Sequence, residues 1–154
     1  MDKKVIVITG ASSGIGAALC KKMGAEGWCV VLASRRLAEL EKIASGSGTC
    51  TLIVPTDVTK RSDMDHLKKK SLEKFGRIDV WVNNAGRGIG KRVIDLTEQD
   101  LDEIMNVNFK SVFFWNSELT TPGMTRDTFM PGCDRLKSTL RLAVSVFTAL
   151  FAAL

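Results

Sequence analysis

Eight residues near the start of the chain, Thr9-Gly10-Ala11-Ser12-Ser13-Gly14-Ile15-Gly16, have the types and spacing of a phosphate cradle. They follow the apolar run Val5-Ile6-Val7-Ile8 directly, so a buried strand would deliver the backbone to a turn that only glycine negotiates. The helix expected next aims its free N–H groups and the positive end of its dipole at whatever sits in that turn. An anionic dinucleotide suits such a place.

Three later strand ends add to the constellation. Ala33-Ser34-Arg35-Arg36 falls where the ribose of an adenosine half is read, an acid serving a free 2′-hydroxyl and a base a 2′-phosphate. No carboxylate appears there before Glu39, whereas Arg35 offers a bidentate fork for phosphate and Ser34 a short hydroxyl; Arg36 joins them as a cofactor-binding candidate, the alternative being that one or both arginines are solvated residues at the start of a helix. NADP(H) is therefore expected over NAD(H). Thr56-Asp57-Val58 follows the third apolar run, where Asp57 either accepts from the exocyclic amine of adenine or caps a helix. Asn83-Asn84-Ala85-Gly86 follows the fourth: Asn84 can tie neighbouring strand ends together, and Ala85-Gly86 leaves room for a flat cofactor against backbone.

These positions need a scaffold that brings strand ends to one side. Short β-branched runs alternate with segments of helical period, which argues for an α/β, Rossmann-like doubly wound parallel sheet of about four strands, covered on both faces. Strands are predicted over 5–9, 29–33, 51–55 and 79–83, and helices over 14–26, 37–44, 61–75 and 97 to about 114. The first helix carries an apolar stripe through Ile15, Ala18, Leu19 and Met23, and the third through Met64, Leu67, Ser71, Leu72 and Phe75. The fourth opens on Thr97 as N-cap, with Asp100 three residues on, and sets Leu101, Ile104, Met105, Asn108 and Val112 on one face. Asn108 is thus a polar residue on an apolar stripe.

The chain of 154 residues, 45% hydrophobic and 25% charged, is long enough for one domain with a core. Its net charge of +5 suits phosphate-bearing partners in general; the basic residues are scattered, with Lys68-Lys69-Lys70 the one run, so no nucleic-acid partner is expected. Cys20, Cys29, Cys50 and Cys133 form neither a C-x-x-C pair nor a crowded disulfide scaffold, which points to a reducing, cytoplasmic setting. One His and four dispersed Cys suggest no metal site. His66 reads as a solvated side chain. The start, Asp2-Lys3-Lys4, leads straight into the first strand without a signal peptide.

After about Phe114 the alternation stops, and the chain divides into a dinucleotide-binding part, 1–114, and a divergent tail, 115–154. The tail ends in an apolar segment from Leu142 to Leu154, shorter than the roughly 20 residues a membrane span needs. It reads as a buried or partner-seeking helix in preference to a membrane contact.

TGASSGIG at 9–16, FGRIDVWVNNAG at 75–86 and NVN at 106–108 together resemble the short-chain dehydrogenase/reductase family, in its order and spacing over roughly the first 114 residues. That resemblance implies strand order 3-2-1-4 and NADP(H) binding through Gly10, Ser12, Ser13, Gly14, Ile15 and Gly16, with Arg35, Asp57, Val58, Asn84, Ala85 and Gly86. It implies hydride transfer between nicotinamide and a small carbonyl or secondary alcohol. In the family a Tyr protonates the developing alkoxide, a Lys four residues on lowers its pKa, a Ser orients the carbonyl, and an Asn, here Asn108, supports the Lys. This chain has no tyrosine, and hence no Tyr-x-x-x-Lys. Ser111, Ser117 and Ser138 with Lys110 or Lys137 lack the family's strand-to-helix context.

The tail also lacks the strands that would pair beside the fourth, so that strand becomes an exposed edge open to a homo- or hetero-oligomeric partner. The expectation is a truncated or alternatively encoded reductase product, inactive or weak alone. Its alternative is a non-catalytic NADP(H)-binding module or partner of a full-length reductase.

Overall fold

A computed structural model describes residues 3–48 and 50–113. The tail, the apolar helix expected at its end, and Ser117, Ser138, Lys137 and Cys133 lie outside the described residues.

Four strands, β1 (Val5–Thr9), β2 (Cys29–Ser34), β3 (Thr51–Pro55) and β4 (Val80–Val82), form one parallel sheet in the order β3-β2-β1-β4. Between them run α1 (Gly14–Ala25), α2 (Leu37–Ser45) and α3 (Arg61–Phe75); α4 (Glu98–Met105) follows β4. Register is set by direct pairing of Val5 with Cys29 at one end of β1 and Thr9 with Ala33 at the other. β2 pairs with β3 from Val30–Thr51 to Ser34–Pro55. The doubly wound α/β class and the strand order are as expected.

Both faces of the two central strands are covered, which is why their sequences are continuously apolar. Val5 and Val7 of β1 join Val31 and Leu67 of α3 on one face, and Ile6 and Ile8 join Leu32, Cys20 of α1 and Leu40 of α2 on the other. Each fully buried aliphatic side chain contributes about 1.5–3 kcal/mol, so β1 and β2 anchor the frame on which the loops sit.

Several expectations need correction. β4 is shorter than 79–83, because Asp79 and Asn83 spend their side chains elsewhere: Asp79 Oδ2 accepts from Val5 N–H at 2.8 Å and Asn83 Oδ1 from Trp81 Nε1–H at 3.0 Å. α1 buries Gly16 and Cys20, with Leu19 and Met23 partly covered, while Ile15 and Ala18 face out. The close approach of Gly16 to the turn rolls the helix that way.

The fourth helix is not regular to 114. α4 gives way to a turn of π-helix over Asn106–Lys110, and Leu101 and Met105 of the expected buried stripe are exposed together with Phe109 and Phe113. The Thr97 cap holds: Asp100 N–H donates to Thr97 Oγ1 at 3.2 Å and Thr97 N–H to Asp100 Oδ2 at 2.9 Å. With Lys91 and both Thr97 donors on it, the Asp100 carboxyl falls to about 2.

The cysteines also differ from expectation. Cys29 and Cys50, neighbours across β2 and the start of β3 with Cα atoms 4.6 Å apart, are joined in a disulfide. Sequence spacing conceals such a pair because the sheet, not the chain, makes them adjacent. Cys20 is buried, and its thiol is pushed up to about 12 by that burial. Such a thiol is inert at neutral pH.

Candidate functional site

The carboxyl ends of the four strands converge on one rim, where open parallel sheets hold ligands. Gly10 leaves β1 with φ of 66°, and a Cβ there would stand 2.7 Å from Ala85 Cα. At Gly16 a Cβ would stand 2.5 Å from the Gly10 carbonyl oxygen and 2.6 Å from Asn84 Nδ2. Gly14, with φ of 54°, differs: nothing lies within 4 Å of the place its Cβ would take. The turn is therefore closed toward the sheet and open toward the crevice. Ser13, the residue before α1, makes no side-chain cap and no acidic residue stands in the first turn, so nothing from this segment competes with an anion for the helix N–H groups.

Thr9 and Asn84 lock this turn to β4. Thr9 Oγ1 accepts from the N–H groups of Asn84 at 3.0 Å and Ala85 at 3.1 Å and donates to the Val82 carbonyl at 3.2 Å. Asn84 Nδ2 donates to the carbonyls of Thr9 at 3.0 Å and Gly10 at 3.3 Å. Asn84 thus bridges strand ends as its sequence position suggested. Thr9 was missed as a site residue, although a hydroxyl immediately before the first glycine was the available signal.

At the end of β2 the two arginines separate. Arg36 Nη2 donates to Ser12 Oγ at 2.9 Å and to Ser13 Oγ at 2.7 Å, and its Nε to Ser12 Oγ at 3.1 Å. Its guanidinium therefore lies over the two serines of the glycine turn. Ser34 Oγ accepts from Arg36 N–H at 3.1 Å and so fixes the backbone that carries it. Arg35 is exposed and acts on Asp57 by its charge.

Asp57 serves as a turn organiser: its Oδ1 accepts from Thr59 N–H at 3.1 Å and from Thr59 Oγ1 at 2.8 Å. Burial disfavours its charge, but the two Thr59 hydrogen bonds and the Arg35 and Lys60 charges outweigh that and hold its carboxyl below the usual range. Val58 beside it is buried. Ile15 is 56% exposed at the first turn of α1, an apolar side chain on the open side of the cradle.

Asn108 lies in the π turn and makes a two-way clasp with the loop after β4. Its Oδ1 accepts from Arg87 N–H at 2.9 Å and its Nδ2 donates to the Arg87 carbonyl at 3.0 Å. Arg87 also pairs with Glu103 at 2.6 Å. Asn108 thereby fixes the path of the chain just beyond Ala85-Gly86. Ser111 is buried with Oγ donating to the Val107 carbonyl at 2.5 Å, so it does not stand in as a substrate-orienting hydroxyl. His66 is exposed on α3. β4 pairs with β1 and with no other strand among the described residues.

A sequence model of the short chain dehydrogenase family matches residues 4–128. An uncharacterised oxidoreductase of Staphylococcus epidermidis is 39% identical over 110 residues, covering 71% of this chain and 48% of that protein. One from Staphylococcus aureus is 36% identical over 115 residues, covering 74% and 50%.

Among solved structures, a 3-ketoacyl-(acyl-carrier-protein) reductase from Brucella melitensis, complexed with NADH, superposes with a TM-score of 0.72 at 35% identity. It covers 76% of this chain and 48% of that one. An alcohol dehydrogenase from the archaeon Thermococcus sibiricus, complexed with 5-hydroxy-NADP, gives 0.69 at 39% identity, covering 73% and 49%. The chain spans about half the length of these relatives.

Proposed function

Because this chain belongs to the short chain dehydrogenase family, we propose that it binds NADP(H) on the rim formed by the glycine turn, Arg35, Arg36, Asp57 and Asn84. We further propose that its own hydride transfer is weak or absent. The observation that carries the cofactor choice is the Arg36 guanidinium held by Ser12 and Ser13, with Arg35 next to it and no carboxylate in the sequence between the end of β2 and Glu39. A 2′-phosphate would find two guanidinium groups and two hydroxyls there. The cradle fits the group: space is closed at Gly10 and Gly16 and open at Gly14.

When bound, the nicotinamide supplies or accepts a hydride. The residues of this chain bind and orient: Gly10, Ser12, Ser13, Gly14, Ile15 and Gly16 receive the phosphates, Asp57 and Val58 border the adenine, and Asn84, Ala85 and Gly86 bound the crevice. Protonating a carbonyl oxygen needs an acid, and the family's tyrosine has no counterpart in this sequence. Asn108, clasped to Arg87, remains from the family's catalytic set as a support without the lysine it serves. The cytoplasm, with its NADP(H) pool, is the setting this reading favours.

A second reading, a non-catalytic module that pairs with another copy or a full-length reductase, is favoured by the outer edge of β4, which has no strand partner among the described residues. The test is direct. Titration calorimetry should give saturable NADPH binding and weaker NADH binding, and saturating NADPH at about 100 times its Kd should stabilise the chain by about 2.7 kcal/mol. Loss of NADPH absorbance with a panel of aldehydes and ketones should stay near background. Robust turnover would overturn the catalytic half of the proposal, and absence of NADPH binding the other half.

A further inference from the structure

Ala85 and Gly86, the two residues that follow Asn84, are held from both ends. On one side the N–H groups of Asn84 and Ala85 donate to Thr9 Oγ1 at 3.0 and 3.1 Å, beside the glycine turn. On the other, Asn108 takes both the N–H and the carbonyl of Arg87, and the Arg87 side chain reaches α4, where its Nη1 lies 2.6 Å from Glu103 Oε2. Three Cα steps separate Asn84 from Arg87, about 10 Å at full stretch, so the dipeptide between them has little slack. The position of α4 is thereby passed to the loop after β4.

The two attachments of Arg87 to this helical stretch do different work. Asn108 makes both of its bonds to the backbone of one residue from one amide, an arrangement that holds Arg87 in place and still lets it tilt, as about a hinge. Glu103, five residues earlier on α4, adds a third point away from that hinge and stops the tilt. The Arg87 and Glu103 side chains are 54% and 41% exposed, so their ion pair adds little to global stability. Its effect falls on the angle of the loop.

Strand order says which part of a ligand would feel that angle. β1 lies between β2 and β4, with Arg35 and Arg36 at the end of β2, the glycine turn at the end of β1 and Ala85-Gly86 beyond β4. A dinucleotide with its adenosine half at β2 and its pyrophosphate on the glycine turn therefore brings its nicotinamide half to β4. We infer, resting on the NADP(H) reading above, that Glu103 is a positioning residue. Acting through Arg87, it sets the angle of the Ala85-Gly86 wall against which the nicotinamide half lies, and it leaves the adenosine half untouched.

The test compares two ligands on the full chain by titration calorimetry: NADPH, and adenosine 2′,5′-bisphosphate, which carries the adenosine half alone. E103Q should weaken NADPH about threefold, the size of effect an exposed ion pair supports, and leave the bisphosphate unchanged. R87Q breaks the same pair from the loop side, keeps the Asn108 bonds to backbone, and should do the same. The charge reversal R87E/E103R should recover NADPH affinity. At saturating NADPH, where affinity no longer matters, the fluorescence anisotropy of the reduced nicotinamide should be lower in E103Q than in the parent.

K91Q serves as the comparison, since Lys91 pairs with Asp100 at 2.7 Å farther along the same loop. It should change neither ligand's affinity. Equal weakening of both ligands by E103Q, no weakening of either, or a K91Q effect on NADPH as large as that of E103Q would overturn the inference and leave the cofactor reading standing. A parent chain that binds neither ligand would overturn both.

Discussion

The hydroxyl of Thr9 accepts the backbone N–H groups of both Asn84 and Ala85, while the Asn84 amide returns a hydrogen bond to the Thr9 carbonyl. Residues 75 positions apart thereby fix the distance between the glycine turn and the loop after β4. Thr9→Val keeps the shape and leaves those two N–H groups without their acceptor, which should cost about 1–3 kcal/mol in urea unfolding. Thr9→Ser should recover most of it. Asn84→Ala should both destabilise the chain and weaken NADPH binding, and a variant with unchanged affinity would separate the clasp from the site.

The three glycines of the turn should respond differently to alanine. Gly16→Ala must displace the Gly10 carbonyl or the Asn84 amide, and Gly10→Ala meets Ala85 backbone with an unfavourable φ besides. Both should lose NADPH binding and melt lower. Gly14→Ala meets no atom, so it should cost only the roughly 1–2 kcal/mol of a left-handed residue. Calorimetric affinities and melting temperatures of the three variants rank them.

Arg35→Ala and Arg36→Ala should each weaken NADPH more than NADH, by about tenfold for a lost charge-assisted phosphate contact. Arg36→Ala should also release Ser12 and Ser13, which it holds in the free protein, and so affect NADH somewhat as well. Equal losses for both cofactors in Arg35→Ala would remove that residue from the 2′-phosphate role.

Asp57 gives a pH signature. Its folded carboxyl lies below the ordinary range, so its contribution to stability is complete above the unfolded value of about 3.9 and disappears as the pH falls through the lower folded value. Melting temperature against pH should therefore have an acid limb that Asp57→Asn flattens in part; Asp79, lowered likewise against its burial by Arg77 and the Val5 N–H, supplies another part. Arg35→Ala removes one of the charges that favour ionised Asp57, and carboxyl NMR should show the Asp57 midpoint moving up.

The Cys29–Cys50 bridge closes a loop of 21 residues, for which loop entropy gives about 3 kcal/mol. Cys50→Ser should lower the melting temperature by several degrees under oxidising conditions and leave it close to the reduced parent's. An unchanged melting point would mean that the bridge adds nothing beyond the sheet pairing.

How much of this was legible in the sequence follows the range of the forces involved. β1, β3 and α3 begin and end where local patterning put them, because continuous β-branched runs and an uninterrupted helical stripe decide those elements without help. The glycine turn was legible for the same reason. What the sequence withheld was set by partners far along the chain: β4 loses its ends to side-chain bonds, Cys29 meets Cys50 through the sheet, and Arg36 crosses to Ser12 and Ser13. Leu101 and Met105 misled because amphipathic spacing finds an apolar stripe but not whether the described fold covers it.

The π turn at Asn106–Lys110 makes this stretch tolerant of length more than of spelling. A π turn carries one residue beyond the α-helical count, so removing a single residue from it would restore the ordinary ladder and leave Ser111, Val112 and Phe113 facing much as they do now. Buried Ser111 and exposed Phe113 would keep their places, and the loss would fall inside the turn, where Asn108 clasps Arg87. Among changes in the gene, a three-base deletion here would be felt by that clasp more than by the three helical residues after it.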